Sequence, residues 1–161
     1  MNKPDDRIKV IDTSQAGKII HVSDDIPLQT IRYTVEDIFG NNIYFTKEAE
    51  RYIQDSRSRK RGQQYVLNYL NKIPTLLRDP SIVIVDSDDI TEKTILYYKE
   101  VYVEEKRKQI LFTLVVKTLK ERIVYNYYPQ ESGKVKSRLG KLPQKILYLK
   151  SGFSKSRYFK R

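Results

Sequence analysis

A chain of 161 residues that is 39% hydrophobic is long enough to bury one domain's core without covalent staples. It contains no cysteine, which excludes a disulfide framework, a thiolate metal site and a cysteine nucleophile. No apolar run approaches the roughly 18 residues of a membrane-spanning helix, and the formal net charge is +11.

That charge is unevenly distributed. Residues 1–30 carry four Lys and Arg against five acids, residues 31–100 carry eleven of each, and residues 101–161 carry sixteen against four. The excess therefore lies in the last third. Clustered cations draw phosphate backbones through counterion release, so RNA is the expected partner. A solubility device or a ribosome-like basic tail is the plainer alternative. An anionic membrane surface fits less well, because this region lacks an amphipathic helix with an aromatic and apolar face; no membrane partner is expected. The opening Met1-Asn2-Lys3-Pro4-Asp5-Asp6-Arg7 lacks the layout of a signal peptide. With no cysteine either, the cytoplasm is the expected compartment.

In chain order, residues 1–30 read as an irregular or edge-strand lead-in containing Ile8-Lys9-Val10-Ile11 and Ile19-Ile20-His21-Val22. Residues 31–46 predict a hairpin. Ile31, Tyr33 and Val35 alternate with polar neighbours, Gly40-Asn41-Asn42 tolerates positive φ, and Ile43-Tyr44-Phe45 returns. Thr46 is the expected N-cap of a helix with Glu48 and Glu50 in its first turns and Ala49, Tyr52 and Ile53 on one face. Val66, Tyr69, Leu70 and Ile73 repeat at helical spacing, and Pro74 and Pro80 punctuate the end. Whether residues 47–73 form one helix or two stays open, because Arg57-Ser58-Arg59-Lys60-Arg61-Gly62 interrupts the apolar face.

Strand patterns follow at 81–85, 95–103, 110–117 and 123–128, with a further strand at Ile146-Leu147-Tyr148-Leu149. The predicted class is α+β, with N-terminal helices packed on one face of an antiparallel four- to five-stranded sheet. Residues 31–150 form the single domain, and 151–161 form a basic C-terminal tail.

Four constellations bear on chemistry. Arg57, Arg59, Lys60 and Arg61 sit at or near the start of a helix, where they either hold a phosphate or line a solvated loop. The sheet offers Thr113, Lys117 and Asn126 beside Tyr97, Tyr98 or Tyr102, a set that suits base stacking and phosphate contact or is ordinary strand decoration. The Gly-flanked loop holding Lys134, Lys136, Arg138 and Lys141 reads as a phosphate contact without a Walker or dinucleotide signature. Asp86, Asp88, Asp89 and Glu92, with Glu104-Glu105-Lys106, carry the acids of a magnesium nuclease. The triplet falls in a turn, however, so an acidic turn explains them better and no metal or other cofactor is expected. His21 reads as a surface histidine.

Residues from about Ile43 to Leu149 resemble the phage-associated barnase–EndoU–colicin–RelE-like nucleases. The matching stretches are Ile43-Tyr44-Phe45-Thr46, Ile73-Pro74-Thr75-Leu76-Leu77-Arg78-Asp79-Pro80, Tyr97-Tyr98-Lys99, Leu114-Val115-Val116-Lys117 and Ile123-Val124-Tyr125-Asn126-Tyr127-Tyr128-Pro129. Where that group often has a helix histidine, this chain reads Tyr52-Ile53-Gln54-Asp55-Ser56-Arg57, and Asn126 stands where a Thr or Ser is usual. The resemblance implies a toxin-type endoribonuclease that cleaves RNA through its own 2′-hydroxyl without metal, and a possible antitoxin or immunity protein as partner. Such chemistry needs a base, an acid and a cation on the phosphate. Lys117 or Tyr98 would serve as base or acid, Arg61 would stabilise phosphate and Asn126 would orient it; Arg57, Arg59 and Lys60 would bind the strand. The alternative is a non-catalytic RNA- or DNA-binding module using the same basic surface.

Overall fold

The computed structural model describes residues 11–130 and 145–153. Two short strands, β1 (Ile11–Asp12) and β2 (Ile19–Ile20), both pair antiparallel with β3 (Gln29–Glu36). β3 turns back into β4 (Asn42–Thr46) through a loop that needs Gly40, whose φ of +87° is a conformation L side chains rarely adopt. Asp37 fastens that loop by accepting the backbone N–H groups of Phe39 at 3.0 Å and Asn41 at 2.8 Å.

Helix α1 (Lys47–Arg59) starts at Thr46, whose hydroxyl accepts the Ala49 N–H at 3.1 Å and donates to Gln29 at 2.7 Å. Ala49, Ile53 and Arg57 form its buried stripe at intervals of four, while Tyr52 is 47% exposed instead of sharing that face. The chain breaks after Arg59, turns at Gly62 with φ +80°, and resumes as a 3-10 segment, Gln64–Lys72, followed by α2 (Ile73–Arg78). The α-helix expected through Val66, Tyr69, Leu70 and Ile73 is thus a 3-10 segment kinked at Tyr69, with Ile73 opening α2. The reason is tertiary: the Tyr127 hydroxyl donates to the Tyr69 carbonyl at 2.8 Å, and the Tyr69 hydroxyl donates to Glu105 at 2.7 Å. Pro74, lacking an N–H, sits in the first turn of α2.

β5 (Ile82–Val85), β6 (Thr94–Val103), β7 (Lys108–Thr118) and β8 (Arg122–Pro129) then run antiparallel to one another, and β9 (Ile146–Leu149) adds beside β5. β4 pairs with β8 in parallel through Ile43 with Arg122 and Tyr44 with Ile123. This overturns the expected arrangement of helices on an antiparallel four- to five-stranded sheet. Among the described residues there is one mixed nine-stranded sheet in the order β1-β3-β4-β8-β7-β6-β5-β9, with β2 also on β3, and the hairpin is part of it.

Both faces of the sheet are buried over much of their area. One packs under α1, the 3-10 segment and α2, with Ile53, Val66, Leu76, Tyr97, Phe112 and Tyr127 at its centre. The other holds Ile82, Ile84, Leu96, Tyr98, Leu111 and Val115, against which Leu149, Phe153 and Tyr128 pack. Fully burying a side chain of the Val, Leu, Ile or Phe class contributes about 1.5–3 kcal/mol, so each face holds its own layer. Among the described residues, no helix is long and apolar enough to cross a membrane.

Candidate nucleic-acid interface

The position of Lys117 follows from the strands around it. It lies near the end of β7, paired in register with Thr94 on β6. Its Nζ donates to the Thr94 hydroxyl at 2.9 Å, and that hydroxyl donates onward to Asp89 Oδ2 at 2.6 Å. The ammonium also stands 5.1 Å from the centroid of the Tyr125 ring, within the range of a cation–π contact.

Tyr125 reaches that place because β8 carries a bulge. Val115 pairs with Asn126 and Val116 with Val124, which leaves Tyr125 as the extra residue. Its parity with the buried Tyr127 is thereby broken, and its ring is 40% exposed. The Tyr52 ring, from α1, lies 5.8 Å away at 38°. Lys117, Tyr125 and Tyr52 thus form one continuous strip: a cation followed by two tilted, half-exposed aromatic rings.

Arg57 sits farther along α1, only 7% exposed, with its guanidinium 5.6 Å from the Tyr128 ring centroid and Nη1 donating to Gln63 Oε1. Burial lowers its pKa from the ordinary arginine value, and Tyr52 and Tyr128 act in the opposite direction. Arg57 and Arg59 belong to the last turn of α1 instead of a helix start, so the helix dipole favours them. No anion is therefore needed there to offset an opposed dipole. Arg59, Lys60 and Arg61 are exposed around the turn that follows.

The residues expected to act together on RNA are only partly brought together. Asn126 is in register with Val115, two residues from Lys117 and so about 7 Å along the strand. Its Oδ1 accepts the Tyr127 N–H at 2.8 Å. Tyr98 is fully buried in the second apolar layer and in register with Thr113, four residues or about 13 Å from Lys117. Thr113 is buried there as well, so this part of the mixed face is closed, and Tyr102 lies beyond it opposite Gln109. Arg61 is on the exposed turn after α1. Lys134, Lys136, Arg138 and Lys141 lie outside the described residues.

The carboxylates hold loops. Asp89 Oδ1 accepts from the Thr91 N–H at 3.0 Å and hydroxyl at 2.6 Å, while Oδ2 accepts from the Lys93 N–H at 3.2 Å and the Thr94 hydroxyl at 2.6 Å. These contacts, the Thr91 hydroxyl first, hold the carboxyl well below the usual carboxylate range. Asp86 accepts the Asp88 N–H at 3.0 Å, Glu92 pairs with Lys145 at 2.6 Å, and Glu105 accepts from Asn68 at 2.9 Å and Tyr69 at 2.7 Å. Among the described residues, no group of three or more His, Cys, Asp or Glu is placed to hold a metal ion. His21 is half exposed, with Nε2 3.7 Å from Asp24.

Helical spacing predicts Tyr52 on one face with Ala49 and Ile53, and strand pattern gives Tyr125 no role. The bulge that frees Tyr125 leaves no local signal, and burial of Arg57 with Ala49 and Ile53 puts Tyr52 off the stripe. No family model, curated protein or solved structure matches the chain.

Proposed function

We propose that this chain binds single-stranded RNA through the strip formed by Lys117, Tyr125 and Tyr52. The observation that carries this reading is the pair of half-exposed rings 5.8 Å apart with the Lys117 ammonium 5.1 Å from one of them. Exposed rings accept unstacked bases, and a cation beside them takes the intervening phosphate. A duplex keeps its bases stacked on one another, so the strip favours a single strand. The sixteen Lys and Arg after residue 100 supply the long-range attraction. An RNA ligand agrees with a cytoplasmic location. An acidic protein of the antitoxin or immunity class is expected to compete with RNA for the same strip.

Cleavage of that RNA, the activity implied by the resemblance to toxin-type nucleases, is the second reading. It draws on Lys117 and Asn126, which share one face about 7 Å apart along the strand. The acid or base assigned to Tyr98 is not at that place, because Tyr98 is buried about 13 Å away, so binding is the better-supported function. Incubating a short single-stranded RNA with the protein, once with chelator and once with magnesium, separates the two. Bound RNA recovered intact is the expected result. Fragments with 2′,3′-cyclic phosphate ends, lost in Lys117→Ala, would establish cleavage instead.

A further inference from the structure

We infer that Arg57 is an oxyanion-binding residue, and that the Nε–Nη2 edge of its guanidinium takes one phosphate group of the RNA proposed above. The identity of the anion rests on that reading; the presence of an anion site does not.

Arg57 is 7% exposed, Nη1 is occupied by Gln63, and Nε is buried without a hydrogen-bond partner. No carboxylate pairs with this guanidinium among the described residues, and the Tyr128 ring centroid lies 5.6 Å from it. In a guanidinium Nη1 lies on the Cδ side, so Nε–H and one Nη2–H point the same way. That two-donor fork matches two oxygens of a phosphate or carboxylate. Gln63 thus fixes the plane of the group by holding the other nitrogen, and the edge left over is the one built for a bidentate oxyanion.

Charge alone does not make this an anion site. The C-terminal end of α1 stabilises the cation and works against an incoming anion. Neither the helix end nor the Tyr128 ring, however, gives Nε an acceptor, and a buried donor without one is rare in folded proteins. Phosphate is favoured over a carboxylate by the surroundings. Tyr52 precedes Arg57 on the same helix, acts on it electrostatically, and touches Tyr125, which touches Lys117. Nε is shielded from solvent, so the oxyanion enters as the side chains over it shift.

The test follows the arginine Nε–H resonances of the full chain by NMR, with Arg57 assigned through its own Cδ so that no variant has to fold. Inorganic phosphate is titrated at constant ionic strength against chloride, then a short single-stranded RNA, then a glutamate-rich peptide. A saturable shift of the Arg57 Nε–H with phosphate and with RNA is expected, and Arg57→Lys, which keeps the charge and loses the fork, should weaken RNA binding about tenfold. An unmoved Arg57 resonance in phosphate overturns the site. RNA binding that leaves Arg57 unmoved overturns the inference while the RNA reading stands. A shift in phosphate without any RNA binding keeps the anion site and removes the RNA reading. A response to the peptide but not to RNA overturns the phosphate assignment in favour of an acidic protein.

Discussion

The hydroxyl of Tyr97, in the middle of β6, donates to Asp37 Oδ2 at 2.5 Å, and the two residues are 2% and 1% exposed. Asp37 belongs to the β3–β4 turn, so this contact ties the hairpin to the antiparallel half of the sheet. Burial, and after it the Asp37 carboxylate, pushes the Tyr97 phenol far above its usual range, so it is a donor at neutral pH.

Tyr97→Phe removes that donor while Asp37 stays buried. A hydrogen bond to a charged group is worth about 1.5–3 kcal/mol, and a loss of that size in urea unfolding is expected. A loss below about 0.5 kcal/mol, the range of an ordinary surface substitution, would show that the turn does not depend on this contact.

Acid should loosen the end of the sheet that carries β9. Asp79 accepts from Lys150 at 2.9 Å and Lys99 at 3.1 Å. Burial raises its pKa, but the two lysines outweigh burial and hold it below the ordinary 3.8. A depressed folded pKa means stability that is present above 3.8 and lost as pH falls through the folded value. The side chain is 52% exposed, so the contribution is about 1 kcal/mol or less. Urea midpoints at neutral and strongly acid pH should therefore converge in Asp79→Asn relative to the parent protein. An equal acid loss in both would assign it to other carboxylates.

Charge and stacking on the strip should separate in salt titrations of RNA binding. Lys117→Ala should lower the slope of log affinity against log salt by about 0.7, one phosphate contact to a single strand. Tyr125→Ala should leave the slope unchanged and cost about 1–3 kcal/mol of affinity, one stacked base. A slope change in Tyr125→Ala, or none in Lys117→Ala, would contradict these roles.

Much of this architecture follows from local pattern. The β-branched runs at 82–85 and 110–117, the turn at Gly40 and the cap at Thr46 are each set by neighbouring residues, and the structure has strands, turn and cap there. What local pattern does not carry is contact between distant segments. The parallel pairing of Ile43 with Arg122 makes the sheet mixed, and the Tyr127 hydroxyl at the Tyr69 carbonyl turns an expected α-helix into 3-10. The site divides the same way. Strand alternation draws attention to Lys117 and a run of cations to Arg57, whereas Tyr125 needs the bulge and Tyr52 needs the helix's actual buried stripe. Strand alternation predicts an open second face for Tyr98, but Leu149 and Phe153 pack against the cluster that holds it.

The most direct test of the central claim is the affinity of a short single-stranded RNA for the parent protein and for the double variant Tyr52→Ala, Tyr125→Ala, measured by fluorescence anisotropy at several salt concentrations. Both rings lie on the surface, and neither belongs to the main apolar clusters, so the variant should keep its fold. The account predicts at least a tenfold loss of affinity, from about 1–3 kcal/mol per stacked base, with the salt slope retained. Binding equal to the parent's would place RNA elsewhere on the basic surface, and no binding by the parent even at low salt would contradict the nucleic-acid reading altogether.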